Sequence, residues 1–347
     1  MSANFSISSC RAVFGVEPNC ELPSSLPISR NAPFLGDVER GQFEANPDIA
    51  GIGILIGFFG VTYCAVISHL ACLILGLLAR SNRREPYRIM PLIRRFAFVC
   101  SDQQLLTGVA YTVSVRYRTG CSLSGYHYAI AQNTLLAIAI TQAVASSAFV
   151  SFARRDFLLT FVRLAGAIPF WVLGSLFLKV PIDDKFDNEK QGPLFVLSAL
   201  CFTDEYYGLG TDNELQVRAR FPVMAMLFML AMAAWVTSVL ATLVPMVIKW
   251  MDPEGPDDYE ETDVGDRKWR AYFFGVIIAL GLALLIYATV ETGNMRSRVY
   301  KSGWLDVSNG NAEQDLSALG QLIPVVLLVF TAYPILDMML GMDSDGK

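Results

Sequence analysis

Histidine is nearly missing from this chain: His69 and His127 are the only two in 347 residues. Cys64 and Cys72 are the one cysteine pair inside a single hydrophobic segment, so the usual zinc ligand sets have little to be built from. No metal and no other cofactor is expected. Neither a GxxxxGK[ST] loop nor a GxSxG elbow occurs, which argues against the common phosphate cradle and hydrolase nucleophile. The last hydrophobic segment holds no lysine, so a retinal Schiff base has no attachment point. Charge is scarce as well, at 17% of residues, and the net −5 comes partly from an acidic stretch at 252–266. That balance offers no broad basic surface, and no nucleic-acid partner is expected. The first 49 residues lack the apolar core of a signal peptide. Pro18, Pro23, Pro27, Pro33 and Pro47 break up a polar, Ser-rich tail that is expected to be mostly irregular. The first hydrophobic segment is then expected to be the membrane address.

Hydrophobic length is what the chain has in abundance. Hydrophobic residues make up 53% of it, and the mean hydropathy is +0.42. A helix needs ~20 mostly apolar residues to cross the hydrocarbon core. Seven stretches qualify: 51–79, 96–115, 125–152, 157–178, 221–250, 271–292 and 316–340. Lipid offers no partners to backbone N–H and C=O groups, so segments of this kind are helical. The expected fold is an all-α bundle of seven transmembrane helices spanning 50–340, with a tail at 1–49 and a short cytoplasmic tail at 341–347. The second stretch has a polar entry, Ser101, Asp102, Gln103 and Gln104, and a helix lying in the interface is its alternative reading.

Basic residues flanking membrane helices tend to stay cytoplasmic. Arg80, Arg83, Arg84, Arg88, Arg94 and Arg95 crowd the first loop, whereas the tail has only Arg11, Arg30 and Arg40. The N-terminus is therefore expected outside and the C-terminus inside. Arg154 and Arg155, and Lys249, Arg267, Lys268 and Arg270, agree. Under this topology Cys10, Cys20, Cys121 and Cys201 all fall on the oxidising side, where disulfides form. The preferred pairing is Cys10 with Cys20 and Cys121 with Cys201; four cysteines allow three connectivities. A glycosylation sequon at Asn4 lies on the same side.

Ionisable groups inside membrane helices usually face the bundle interior or a wet cavity. Asp102, Arg163 and Asp337 lie toward the expected cytoplasmic half, with His69 and Gln142 deeper and Gln103 and Gln104 beside Asp102. Two readings stand for Asp102 and Arg163: an ion pair lining a ligand cavity, with Asp337 and His69 nearby, or a packing lock between helices. Toward the outer side, Tyr126, His127 and Tyr128 open the third segment, Tyr111 tops the second and Glu291 ends the sixth. The tyrosines suit an interfacial aromatic belt, and Glu291 against His127 is a candidate gate or ligand anchor. Asp102, Glu291 and Asp337 are the candidate catalytic acids. Gly53 and Gly57 form a GxxxG step suited to close helix packing. Pro169, Pro245, Pro324 and Pro334 are positioned to kink their helices.

The run Asn46, Pro47, Asp48, Ile49, Ala50, Gly51, Ile52, Gly53 and the run Ser101, Asp102, Gln103, Gln104, Leu105, Leu106, Thr107, Gly108 resemble those of uncharacterised seven-helix integral membrane proteins of filamentous ascomycete fungi. Ser124, Gly125, Tyr126, His127 and Tyr128 are similar to that family's entry to its third helix. A departure falls at Gln142, near which the family often has a histidine. The resemblance implies a fungal membrane protein and brings no activity with it. Three function classes follow from the whole reading. A receptor-like or sensor-like protein of a plasma or secretory-pathway membrane leads, on the seven helices, the outside tail and Cys121 within reach of Cys201. A small integral-membrane cyclase or lipid-modifying enzyme of secondary metabolism, working through an intramembrane carboxylic acid, is the alternative. A transporter ranks third, because no internal repeat is visible. Expected partners are the lipid bilayer and a small-molecule or lipid-like ligand.

Overall fold

The computed structural model describes residues 10–11, 15, 19, 32–81, 89–115, 121–153, 157–177, 194–202, 223–251, 264–308, 311–316 and 319–330. Asn4, Cys20, Asp337 and most of the first basic loop lie outside the described residues. The structure is predominantly helical. Its helices are α1 (Pro47–Ala50), α2 (Ile52–Ser81), α3 (Met90–Val113), α4 (Gly125–Ala153), α5 (Phe157–Phe177), α6 (Val223–Met251), α7 (Val264–Ser302) and α8 (Leu319–Phe330). The described part of the tail holds one short regular element. Strands β1 (Phe34–Leu35) and β2 (Val38–Glu39) form a small antiparallel hairpin, turned by Gly36 at φ +57°.

Among the described residues three helices are long and apolar enough to cross a membrane: Pro47–Ala79, Gly125–Ser146 and Ala271–Ser302. Their hydropathy and burial run in opposite senses. The most apolar stretches of the first and third have mean hydropathies of 2.1 and 2.5 and are only 39% and 28% buried, whereas Gly125–Ser146 reaches 1.3 and is 100% buried. Helix α4 is thus the axis of the bundle, packed against α2, α3, α5, α6 and α7. Enclosed by protein on all sides, it can carry Gln132, Asn133, Thr134, Thr141 and Gln142, every one of them buried. The outer helices instead expose large apolar side chains such as Ile67, Leu106, Phe161, Ile168, Leu240 and Val290, as a lipid-facing surface requires.

The glycines of α2 explain how α8 docks. A Cβ on Gly53 would lie 2.1 Å from the Gln321 carbonyl oxygen, one on Gly57 2.4 Å from Pro324 Cβ, and one on Gly60 3.2 Å from Leu328. The GxxxG step therefore receives α8 at Gln321 and Pro324, and its use is internal packing.

One end of the bundle is capped by loops. The tail pairs with the segment after α7, since the Phe43 N–H donates to the Trp304 carbonyl and the Asp306 N–H to the Phe43 carbonyl, each at 2.9 Å. Trp304 is fully buried beneath this bridge. Hydrogen bonds from the Ser308 hydroxyl and from its N–H, the latter at 2.8 Å, lower the Asp306 carboxyl from its ordinary value. Short 3₁₀ turns at Leu194–Val196 and Ala199–Phe202 join the cap, with the Gly125 N–H on the Leu197 carbonyl at 2.8 Å and the Ala199 N–H on the Leu123 carbonyl at 2.7 Å.

The preferred cysteine pairing is corrected here. Cys10 bonds Cys121, with Cα atoms 5.7 Å apart, and Cys201 belongs to a different disulfide. Nearness in sequence favours Cys10 with Cys20. Folding instead brings the tail back over the entry to α4, where Cys10, Cys121 and Leu200 share a buried cluster. The bridge closes a sequence separation of 111 residues. Cys121→Ser is expected to cost ~2–5 kcal/mol, read as a thermal midpoint in detergent below that of wild type without reducing agent.

Candidate functional site

The polar residues form two groups, one within the bundle and one beneath the cap. The inner group begins at the Ser-Asp-Gln-Gln step of α3, and each member that faces the protein stitches α3 to a neighbour. Gln104 Nε2 donates to the Phe58 carbonyl at 2.6 Å and to Thr62 Oγ1 at 3.2 Å on α2. Thr62 also accepts from Thr141 of α4 at 3.0 Å, and Gln142 Nε2 donates to the Ser101 carbonyl at 3.1 Å. Gln103 is half-buried, and its carbonyl accepts from Thr107 at 2.8 Å. These bonds knit α2, α3 and α4 into one unit.

Asp102 and Arg163 do meet. Arg163 Nε and Nη2 donate to the two carboxylate oxygens at 2.8 and 2.6 Å, the paired geometry that guanidinium and carboxylate prefer. The Arg163 guanidinium carbon lies 5.0 Å from the centroid of the Phe98 ring, and His69 packs edge-on to the same ring at 6.1 Å. Phe98 thus adjoins both groups, and His69 does not share the ion pair. The Asp102 side chain is 41% exposed and that of Arg163 13%, so the pair sits at the side of the bundle where α3 meets α5. Both carboxylate oxygens are occupied by a cation, a poor starting point for a proton donor. Asp102→Asn is expected to lower stability by ~2 kcal/mol, after allowance for the exposure of the carboxylate. Adding Arg163→Gln should cost little more, and a double-mutant cycle by thermal denaturation measures that coupling.

The second group lies under the cap and is more highly organised. Ser124 starts α4 by accepting the His127 N–H on its Oγ at 3.3 Å, an N-cap bond, and the same Oγ lies 2.9 Å from His127 Nδ1. The other ring nitrogen, Nε2, meets two partners: the Asn46 N–H at 3.1 Å and Glu313 Oε1 at 3.2 Å. Glu313 Oε2 accepts from Tyr126 Oη at 2.7 Å. The Glu313 backbone carbonyl accepts the Ile52 N–H at 2.8 Å and Arg296 Nη2 at 3.3 Å. Gln321 completes the arrangement by accepting the Gly53 N–H at 3.1 Å and donating to the Ala312 carbonyl at 2.8 Å. Phe43 stacks on the imidazole at 5.5 Å. Ser124, Tyr126, His127 and Glu313 are all buried, Glu313 to 2% exposure.

Two expectations for this end are corrected. Glu291 is not the partner of His127; Glu313 is. Helix α7 does not end at Thr292 but continues to Ser302, so Glu291 stays half-buried along the helix while the returning loop delivers an acid to His127. Nor are Tyr126 and Tyr128 an interfacial belt, since both are buried. Tyr128 donates to the Phe177 carbonyl, and its ring stacks on that of Phe177 at 4.3 Å. Tyr111 is also buried, 5.1 Å from the Phe58 ring. Sequence reasoning missed Glu313, Arg296, Gln321, Asn46 as a donor and Ser124 as a cap. Ser124 three residues before His127 was a readable cap signal; Glu313 stands in a loop with Asp306 and Asp315, and nothing in the sequence separates them.

Among the described residues no three His, Cys, Asp or Glu side chains gather as a ligand set for a metal. No family model, curated protein or solved structure matches the chain.

Proposed function

We propose that this chain is a receptor-like or sensor-like multi-pass protein, with seven membrane-crossing helices, its capped end outside and its C-terminus cytoplasmic. The observation that carries the reading is the buried Glu313, His127 and Tyr126 cluster, which ties the last loop to the starts of α2 and α4 at one end of the bundle. A stimulus that loosens this tie acts at once on the helix that all the others surround. The disulfide in the same cap supports placing that end on the oxidising side of a plasma or secretory-pathway membrane, and the motif resemblance points to a fungal one. Saturation of Asp102 by Arg163 weighs against the cyclase alternative, which loses its first candidate acid. The occupant sensed is a small-molecule or lipid-like ligand, or a simpler chemical signal.

Gene deletion in the host tests the reading, with restoration by wild type and by Glu313→Gln. Sensing predicts that deletion removes a transcriptional response to an external change, that Glu313→Gln alters its threshold, and that the metabolite profile stays the same. Loss of one discrete compound, restored only by wild type, would overturn sensing in favour of the enzyme.

A further inference from the structure

We infer that the seam between α4 and α7 holds an internal water, bound by the Asn133 carboxamide and the Thr292 hydroxyl. The site is independent of whatever signal the protein answers to. Asn133 is 0% exposed and Thr292 4%. Nδ2 and Oδ1 of the asparagine and Oγ1 of the threonine meet no hydrogen-bond partner among the described residues. Polar groups at this depth are costly to leave unmet, because neither lipid nor apolar packing supplies a partner. A helical threonine can bond a carbonyl one turn back, as Thr289 bonds Leu285 at 2.7 Å. Thr292 does not, and its hydroxyl is left for the seam.

Helix register brings the two side chains to one level. Helix α4 begins and α7 ends beneath the cap, so the two run antiparallel. A Cβ on Gly281 would lie 3.1 Å from Val144 and 3.2 Å from Ile140, which fixes their pairing further along the seam. Both helices rise equally per residue, so Thr292, eleven residues beyond Gly281, comes level with residues 129–133. Asn133 stands seven residues before Ile140 and eleven before Val144, a spacing that puts all three on the face toward α7. Asn133 offers two N–H donors and an acceptor oxygen, and the threonine hydroxyl serves either way. Leu285 and Ala288, buried on the same seam, bring no charge to balance an ion. The occupant therefore has to be small, uncharged and both donor and acceptor, and a buried water, which typically makes about three hydrogen bonds, fits these groups. Toward the cap the seam stays polar. Arg296, one turn beyond Thr292, donates to the Glu313 carbonyl at 3.3 Å, and Tyr126, two turns before Asn133, donates to the Glu313 carboxylate at 2.7 Å. In the other direction Ala137, Ile140, Val144, Leu285 and Ala288, all buried and apolar, close it. The polar part of the seam is thus blind, continuous with the capped side alone.

Water-edited solid-state NMR on the full chain in lipid bilayers tests the site. Gln132–Asn133 is the only Gln-Asn step in the sequence, so carbonyl-labelled glutamine with carbon- and nitrogen-labelled asparagine assigns Asn133 without a mutation. Asn294, exposed on α7, is the reference for a hydrated carboxamide. The expected result is transfer of magnetisation from water to the Asn133 carboxamide as well as to that of Asn294. Thr292→Val should lose the transfer at Asn133 and keep it at Asn294, and Gly293→Ala should keep both. An Asn133 carboxamide that stays dark beside a bright Asn294 would overturn the proposal, showing a dry seam in which the side chain turns to a protein partner. Transfer undiminished in Thr292→Val would overturn it as well, by removing the threonine from the site. The wild-type spectrum decides whether the seam is wet even if the valine variant does not fold.

Discussion

Glu313→Ala should be the most damaging single change at the capped end, lowering stability by ~3–5 kcal/mol. The carboxylate is buried and bonded on both oxygens, to Tyr126 and to His127. Truncation leaves the tyrosine hydroxyl and the imidazole buried without it, and a lost partner costs more than the net worth of the bond. Glu313→Gln keeps the shape and one acceptor oxygen, so it should retain most of the stability. Thermal denaturation of both variants in the same detergent checks the ordering. A Glu313→Ala protein as stable as wild type would show that the cluster does not hold the cap.

Gly57→Val should act from the opposite wall of the same junction. A Cβ there would lie 2.4 Å from Pro324 Cβ and 3.1 Å from the Pro324 carbonyl carbon, and a proline inside a helix has little freedom to retreat. Overpacking of this kind costs ~1–3 kcal/mol and often more where backbone is the obstacle. Displacement of α8 also pulls Gln321 from the Gly53 N–H. Fluorescence-detected size exclusion after heating should show a reduced monodisperse fraction for Gly57→Val, whereas Gly293→Ala, a site with nothing within 4 Å, should match wild type. Equal behaviour of the two variants would refute the packing account.

The sequence declared its helices through apolar length, and the ends were harder to read. The hydropathy of the sixth stretch stops at Thr292, but the helix runs on through Arg296 and Arg298 to Ser302, because polar residues continue a helix as readily once it leaves the apolar layer. A helix ending at Thr292 would leave Glu291 as the acid near His127; one ending at Ser302 leaves that place to Glu313. Asp102 and Arg163 were legible as a pair because charges are so rare in these segments that each needs the other. Gln104 and Gln142 were legible as buried polar groups, but their partners are backbone carbonyls of Phe58 and Ser101, which no pattern of side chains announces. The disulfide was misassigned for a related reason: chain proximity is visible in a sequence, and the return of a tail across a bundle is not.

Helix α4 has a consequence for how the protein is made. Its polar residues are satisfied by, or shielded among, α2, α3, α6 and α7, and two of those four are synthesised after it. A helix of mean hydropathy 1.3 that ends up wholly buried has weak grounds for settling alone in lipid, while its successor partner at 2.5 inserts readily. Until α6 and α7 are made, two of the walls that bury α4 are missing, so its enclosure is completed late in synthesis.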